Sequence, residues 1–388
     1  MLEFIFSVLL GIVAGTLTGL LPGIHINLVS AFLVSLAPVF LSYTSPISLA
    51  VFIVSMSLTH TFLDFIPSIY LGAPNEDTAL SILPGHQLML QGRGHEAVLH
   101  TLAGGILALP ILIILAPLFI FFLPTIYPYI SKVMFFILIL SSVYLITKNK
   151  NKKLALALFL LSGFLGLAVF KLSLKEPLLP LFSGLFGAST LLNSLKNEQQ
   201  IPQQELLPIK ETNFHIKKPF FASLLAAPLC SFLPGLGSSQ AAIIGSDILD
   251  ETKKEEFLTL IGCINTLVMA LSFVVLYAIN KARTGAASAV SELIKLSQRE
   301  LVIILIIIIA VSILSSILAV SISKKFSKYV SKIPYPKLSL FVLLFLVLIV
   351  FLFSGILGII IFITSTAVGL VAIKTNVRKS NLMGCIML

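Results

Sequence analysis

Long apolar runs separated by short polar stretches fill most of this chain. Leu154–Phe170, Leu301–Ala319 and Leu338–Phe353 each have the length that an α-helix needs to cross about 30 Å of hydrocarbon. The pattern predicts an all-α, polytopic membrane protein of about 11 to 13 helical segments. The predicted segments are Leu2–Leu21, Ile24–Phe40, Ile47–Tyr70, Ala97–Leu123, Ile126–Thr147, Leu154–Phe170, Leu178–Leu195, Phe220–Leu233, Leu236–Leu249, Phe257–Ile279, Leu301–Ser321, Leu338–Phe353 and Gly355–Ile373.

Composition supports this interpretation and excludes a soluble domain. The chain is 57% hydrophobic and 11% charged, whereas soluble domains have about 25% charged residues. It has 26 Lys and Arg against 16 Asp and Glu, but the basic residues form short clusters between apolar runs, which is typical of topology signals rather than of nucleic-acid binding. Its three cysteines lie far apart and lack the spacing of a disulfide framework or a zinc site.

The basic clusters predict the orientation in the membrane. Cytoplasmic loops carry the excess of Lys and Arg, and four clusters can share that side. They are Lys148–Lys153, Lys210–Lys218, Lys324–Lys337 and Lys374–Lys379. Counting segments from them places the N-terminus outside and the C-terminus in the cytoplasm of a multi-pass cell membrane protein.

A long polar stretch divides the chain. Residues 196–218 have the composition of a linker, which we predict to be cytoplasmic. The prediction is therefore a first membrane half at 1–195 and a second at 219–388.

A Leu-Pro-Gly triplet occurs near the start of each half. Gly19–Ile24 aligns with Ser231–Leu236, and the segment count turns the two hairpins in opposite directions. A third copy at Leu83–Gly85 shows that the triplet alone is a weak signal. Two copies at matching positions of oppositely oriented halves favour an inverted repeat, as in alternating-access transporters, where the substrate binds at broken helices.

The residues around each triplet are candidates for binding an anion. Proline removes an amide donor and glycine lets the chain turn, so the helix breaks. The next half-helix then presents its amides and positive dipole end. The alternative is a turn joining two ordinary spans. The substrate-binding candidates are Pro22, Gly23, His25, Asn27, Pro234, Gly235, Gly237, Ser238, Ser239 and Gln240, together with Asn265 inside a later apolar run.

Ionisable residues within or beside a span are candidates for coupling to Na⁺ or H⁺. His60 and Asp64 lie four apart on one helix face, and such residues are costly inside a membrane. The alternative places Asp64 near the membrane surface. Glu76 and Asp77 are also candidates, although capping of a helix that begins at Asn75 is sufficient to explain them.

No motif predicts an enzyme, a metal site or another cofactor. His95, Glu96 and His100 differ from the H-E-x-x-H zinc pattern because the histidines lie five residues apart, on different helix faces. A phosphate-binding Gly-rich loop with Lys and Ser is absent. Arg93 could pair with a substrate carboxylate or an acidic side chain, or cap a loop.

At these motifs the chain resembles the large membrane subunit, or permease, of the tripartite tricarboxylate transporters, in a short form. The likeness rests on Gly15–Gly23, on Leu233–Gly237, and on Ala73–Arg93, where Pro-Asn-Glu leads to a Gly-Arg turn. The resemblance implies ion-driven uptake of di- or tricarboxylates. It also implies a small membrane subunit and a soluble substrate-binding protein as partners, and a homo-oligomer is compatible with it.

A flippase for a polyprenyl-phosphate lipid carrier is the alternative function. Some such families also carry paired Pro-Gly hairpins in inverted halves, and a phosphate headgroup would use the same half-helix amides. A flippase needs a lateral opening to lipid with basic residues around the hairpins, whereas a carboxylate carrier needs a closed aqueous pocket.

Overall fold

A computed structural model of the protein describes residues 2–21, 29–30, 33–34, 37–72, 82–147, 149–172, 174, 177–195, 202–206, 212–232, 238–248, 253–332 and 335–387. Regular structure in these ranges is entirely helical, which confirms the all-α prediction. Within them, 7 helices are long and apolar enough to cross a membrane, as expected of a polytopic membrane protein.

The helices of the described ranges are numbered in chain order. They are α1 (Leu2–Leu20), α2 (Ala37–Phe40), α3 (Pro46–Leu63), α4 (Phe65–Leu71), α5 (Ile82–Met89), α6 (Gly94–Thr147), α7 (Lys152–Lys171), α8 (Leu178–Phe182), a π-helix (Ser183–Ala188), α9 (Ser189–Leu195), α10 (Lys217–Phe232), α11 (Ser238–Ile248), α12 (Lys254–Ile279), α13 (Gly285–Leu293), α14 (Gln298–Val330), α15 (Tyr335–Lys374), a 3₁₀-helix (Lys379–Met383) and α16 (Gly384–Met387).

Two predicted helix boundaries have different outcomes. The break between Phe353 and Gly355 is present, because Gly355 interrupts α15 with φ 62° and ψ −157°, a conformation open essentially to glycine alone. The predicted boundary between Leu123 and Ile126 is absent, because α6 is one helix of 54 residues that includes Pro124. Its four prolines each remove one backbone hydrogen bond, but the backbone around them stays helical.

Two helix units lie at the centre of the bundle. The apolar window of α12 is 100% buried and that of the α3–α4 unit is 94% buried, whereas that of α14 is 33% buried. Glycines allow close approach to α12: a Cβ added at Gly104 would lie 2.0 Å from the Thr259 carbonyl oxygen. Small residues of this kind let membrane helices pack backbone against backbone.

The α3–α4 unit runs parallel to α14. Ser315 of α14 donates a hydrogen bond to Thr59 of α3 at 2.9 Å. Further along both elements, the hydroxyl of Tyr70 in α4 lies 3.2 Å from the hydroxyl of Ser323 in α14. Because the residue number increases along both elements from the first contact to the second, the two elements run in the same direction.

The helices α6 and α12 form a second parallel pair, which runs opposite to the first. Arg93, immediately before α6, binds Glu255 at 2.8 Å. One or two turns later, a Cβ added at Gly262 would lie 2.1 Å from the carbonyl oxygen of Thr101. Gly94, at the start of α6, approaches the Tyr70 ring of α4, whereas Gly105, further along α6, approaches Phe62 of α3. The helix α6 therefore runs antiparallel to the α3–α4 unit.

The bundle has two ends, named here the Arg93 end and the Glu3 end. The first includes the starts of α6 and α12 and the end of α14; the second includes the starts of α1 and α3. Glu3 accepts hydrogen bonds from Thr44 at 2.8 Å and from the Ser45 amide at 2.9 Å. The first hairpin therefore begins and ends at the Glu3 end.

The described part of the predicted linker is docked on the bundle. The Gln204 side chain accepts a hydrogen bond from the Gly94 amide at 3.0 Å and donates one to the Met89 carbonyl at 2.9 Å. The Glu205 amide donates to the Gly92 carbonyl at 2.7 Å. Gln204 thus satisfies an amide that the first turn of α6 leaves without a helical partner.

A second apolar cluster lies beside the central bundle. It joins α7, the α8–π-helix segment, the second part of α15 and the C-terminal residues. Lys379 is 7% exposed in this region, and its ammonium donates to the Phe186 carbonyl and the Thr190 hydroxyl. Burial lowers the pKa of Lys379 to about 7.

Candidate functional site

Most of the predicted substrate-binding residues lie outside the described ranges. These are Pro22, Gly23, His25, Asn27, Pro234, Gly235 and Gly237; the coupling candidates Glu76 and Asp77 lie outside them as well. The backbones of Ser239 and Gln240 belong to the first turn of α11. The described candidates are therefore Ser238, Asn265, His60 and Asp64.

Ser238 and Asn265 meet where the second hairpin continues into α11. Ser238 is the first residue of α11, and its hydroxyl donates to Oδ1 of Asn265 at 3.3 Å. Asn265 lies near the middle of α12 and is 4% exposed. The start of this half-helix is thus held against the middle of a fully buried span, and not at the end of that span.

His60 and Asp64 lie beside the first hairpin. Both are 3% exposed, and His60 Nε2 lies 4.0 Å from Asp64 Oδ2. A 3.1 Å hydrogen bond joins His60 Nδ1 to the Thr18 hydroxyl of α1. The two ionisable side chains are therefore buried in the bundle.

Close packing of α1 on α3 sets the position of Thr18. Gly11, Gly15 and Gly19 face α3, and a Cβ added at Gly15 would lie 2.4 Å from the Met56 carbonyl oxygen. Larger side chains at these positions would separate the helices. The glycine face therefore brings the end of α1 to His60.

In both hairpins, the residue four positions before the proline has a nitrogen-bearing partner. Thr18 precedes Pro22 by four and contacts His60. Cys230 precedes Pro234 by four, and its carbonyl accepts a 3.0 Å hydrogen bond from Arg283 Nε. In an α-helix that carbonyl would accept from residue 234, but proline has no N–H.

Sequence reasoning did not select Thr18 or Arg283. The spacing to each proline marks the carbonyls of residues 18 and 230 as lacking a helical donor, but it does not point to Arg283, and Thr18 contacts His60 through its hydroxyl. The identity of the partner depends on the tertiary packing of distant segments. A list of motifs does not contain that information.

Arg93 pairs with acidic side chains, one of the alternatives considered for it. Its guanidinium donates two hydrogen bonds to Glu96 and one to Glu255, each at 2.7–2.8 Å. The hydrogen bonds to Glu96 are the main reason that the pKa of Arg93 is raised. This network joins the starts of α6 and α12, and His100 lies beside it at 3.8 Å from Glu96.

Comparison with known proteins identifies the family. The family model "Tripartite tricarboxylate transporter TctA family" matches residues 5–384, nearly the whole chain. The chain belongs to this family. A curated relative, the uncharacterized protein MJ1079 of Methanocaldococcus jannaschii, is 33% identical over 354 residues, which cover 86% of this chain and 85% of that protein. No solved structure matches the chain.

Membership of the TctA family confirms the resemblance drawn from the Leu-Pro-Gly segments and from Ala73–Arg93. The protein is a multi-pass membrane component of a transporter, a role that is not enzymatic. As a tripartite system, the family includes partner subunits. Among the described residues, no group of three or more His, Cys, Asp or Glu side chains could hold a metal ion.

Proposed function

We propose that this protein is the permease of an ion-coupled secondary transporter for small organic anions, di- or tricarboxylates, and that it works by alternating access. The substrate binds between the two half-helix N-termini that follow Pro22 and Pro234. Na⁺ or H⁺ binds at His60 and Asp64, with Glu76 and Asp77 as further candidates.

The directions of the central helices carry this proposal. The α3–α4 unit and α12 each follow a Leu-Pro-Gly hairpin, and they run in opposite directions. The next long helices, α6 and α14, are also opposed, and each packs parallel to the central helix of the other half. Two inverted halves would produce this reciprocal packing.

The short helices between these long ones support the same relationship. The helix α5 lies at the Arg93 end, where Gly85 approaches Ile69 and Leu258. The helix α13 follows the loop at the other end of α12, where Thr284 contacts Ser272 at 2.9 Å, and it packs on α3. Each short helix thus contacts both central units.

Placement of the candidate residues supports binding at the breaks. The Ser238–Asn265 contact lies at mid-span, where an aqueous cavity would have to solvate the polar groups of a broken helix. Half-helix N-termini favour anions. His60 and Asp64 are buried beside the first break, and intramembrane ionisable residues of this kind commonly couple transport to ions.

The distribution of basic residues supports an orientation of the protein in the membrane. Lys253, Lys254 and the Lys324–Lys328 cluster lie at the Arg93 end, which the basic-loop rule assigns to the cytoplasm. The N-terminus then lies outside and the C-terminus inside, in the cell membrane. By analogy with the family name, a small membrane subunit and a soluble substrate-binding protein would complete the system.

Uptake by purified protein in proteoliposomes tests the proposal. Labelled citrate and succinate are supplied with inward Na⁺ or H⁺ gradients, and translocation of a polyprenyl phosphate is assayed in parallel. The proposal expects gradient-dependent accumulation of at least one acid. Lipid translocation without uptake of either acid would contradict it and select the flippase.

A further inference from the structure

Four buried hydroxyls, named here the hydroxyl cluster, lie where α3 packs against α14. Ser315 of α14 donates a hydrogen bond to Thr59 of α3 at 2.9 Å. One turn earlier, Ser55 and Ser312 lie on the same faces of these two helices. All four side chains are 0% exposed. Since α3 belongs to the predicted first half and α14 to the predicted second half, the hydroxyl cluster lies between the two halves.

Glycines of α1 bring a third helix to the hydroxyl cluster. A Cβ added at Gly11 would lie 2.6 Å from the Ser55 Cβ, and one added at Gly15 would lie 2.7 Å from the Thr59 Cβ. The helix α1 also contacts α14. Three helices therefore meet at the hydroxyl cluster, and their close packing leaves room only for a small ligand.

Two of the four hydroxyls have no hydrogen-bond partner among the residues that the structure describes. These are the buried oxygens of Ser55 and Ser312. Because α3 and α14 are parallel, both oxygens lie about one turn, or about 5 Å, before the Thr59–Ser315 contact. An unpaired hydroxyl is costly in apolar surroundings, so the pair points to a ligand at this level of the bundle.

The charges around the hydroxyl cluster favour a cation over an anion. No Lys or Arg precedes Arg93 in the sequence, so α1 and α3 contain none. The helix α14 has none between Arg299 and Lys324. The buried Asp64 follows directly at the end of α3. A carboxylate would therefore find no basic side chain of these helices beside the cluster, whereas a cation would find a counter-charge on the same helix unit.

We propose that the hydroxyl cluster binds a sodium ion between the two halves of the protein. This inference rests on the proposed function and deepens it, because it names the coupling ion and its ligands. Hard cations take oxygen ligands, whereas Ser and Thr are not among the side chains that titrate. The cluster therefore binds a metal cation and not a proton. Asp64 supplies the counter-charge for this cation, and the close helix packing favours Na⁺ over the larger K⁺.

Sodium-dependent thermal unfolding in detergent tests this site without a transport step. Unfolding temperatures of full-length wild type, Ser55→Ala, Ser312→Ala and the matched control Ser316→Ala are measured against NaCl, with choline chloride keeping the ionic strength constant. Ser316 adjoins the cluster residue Ser315 in the sequence, but it lines an apolar groove together with residues of α6. Wild type is expected to gain stability with rising Na⁺, because a ligand that binds only the folded protein stabilises it.

The two cluster variants are expected to need more Na⁺ for the same stabilisation. Loss of one ligand oxygen should raise the half-maximal Na⁺ concentration roughly 10-fold in Ser55→Ala and Ser312→Ala, and less than about twofold in Ser316→Ala. KCl is expected to stabilise wild type no more than choline chloride does. Each variant is compared with itself at low Na⁺, so a lower basal stability cannot imitate the expected change.

Three results would overturn the sodium site. The first is equal stabilisation of wild type by NaCl and by choline chloride. The second is a wild-type Na⁺ response in both Ser55→Ala and Ser312→Ala. The third, measured by titrating citrate without Na⁺, is weaker citrate binding by these variants with an unchanged Na⁺ response, which would assign the hydroxyls to an anion site. Absence of carboxylate uptake in proteoliposomes would reject the proposed function alone, because sodium binding in detergent is measured independently of transport.

Discussion

The two hairpins share a Leu-Pro-Gly triplet, but different side chains approach the helix before each proline. At the first, His60 contacts Thr18 and lies 4.0 Å from Asp64. At the second, Arg283 donates to the Cys230 carbonyl. Both partners come from segments that follow the hairpin, and both reach the position four residues before the proline.

The side chains beside the two breaks differ in whether their charge can change. An imidazole and a carboxylate can change protonation state or bind a cation, whereas a guanidinium remains positively charged. We infer that the first break is suited to the coupling ion and the second to the substrate anion. Variants that affect one break and spare the other can test this division.

The largest effect is expected from Gly15→Leu, which would separate α1 from α3. Its side chain would overlap the Met56 carbonyl, and overpacking of this kind costs roughly 2–3 kcal/mol. Thermal unfolding in detergent and the monodisperse yield measure the loss. Val13→Leu is the control, because Val13 is 57% exposed. Equal stability of the two variants would show that α1 does not pack on α3 as described.

Asp64→Asn is expected to remove ion-driven accumulation but to keep exchange of labelled for unlabelled substrate. The side chain keeps its shape and loses its charge, so coupling falls by roughly 5- to 150-fold, the range of typical coupling energies. Accumulation and exchange are measured on the same vesicles. The exposed Glu292→Gln is the control, and ion-driven accumulation by Asp64→Asn at the wild-type level would reject the assignment.

A smaller effect is expected from Thr18→Val, which removes the hydroxyl that His60 contacts. Loss of one hydrogen bond of about 1 kcal/mol predicts about a fivefold lower uptake rate. Thr16→Val is a matched control, because Thr16 donates to the Ile12 carbonyl of its own helix. Initial rates distinguish the two, and equal rates would mean that the Thr18–His60 contact has no part in transport.

Lys379→Met is expected to leave transport unchanged, because Lys379 belongs to the second apolar cluster and not to either break. Its folded pKa of about 7 is below the reference of 10.5, so between these values the unfolded chain binds more protons. Stability therefore rises with pH across that window in wild type. Unfolding temperatures from pH 7 to pH 10.5 should rise less in Lys379→Met than in the exposed control Lys374→Met. An equal rise of the unfolding temperature with pH in the two variants would contradict this prediction.

Sequence patterns predicted much of the fold because membrane helices are constrained by length and apolarity. The runs at Pro46–Leu71 and Lys254–Ile279 were recognisable as spans, and the interruption at Gly355 followed from a small residue between two apolar runs. The continuity of α6 through Pro124 was not predictable, because proline only weakens a helix and neighbouring helices can stabilise it.

The candidate site was predictable only in part. Sequence identified His60, Asp64, Ser238 and Asn265 as unusual polar residues in apolar surroundings. It could not pair Ser238 with Asn265 or Arg283 with the Cys230 carbonyl, because each contact depends on how segments far apart in the chain pack. Gln204 was likewise predicted as part of a linker, whereas its side chain caps the first turn of α6.

Ion-dependent citrate binding tests the central claim most directly. Calorimetric titration of citrate into detergent-solubilised wild type and Asp64→Asn is repeated across Na⁺ concentrations and across pH. If the coupling ion binds beside the first break, wild-type affinity rises with one of the two ions, because linkage is reciprocal, and Asp64→Asn binds citrate with an affinity that neither ion changes. An Asp64→Asn protein whose citrate affinity still follows the ion as in wild type would contradict the account.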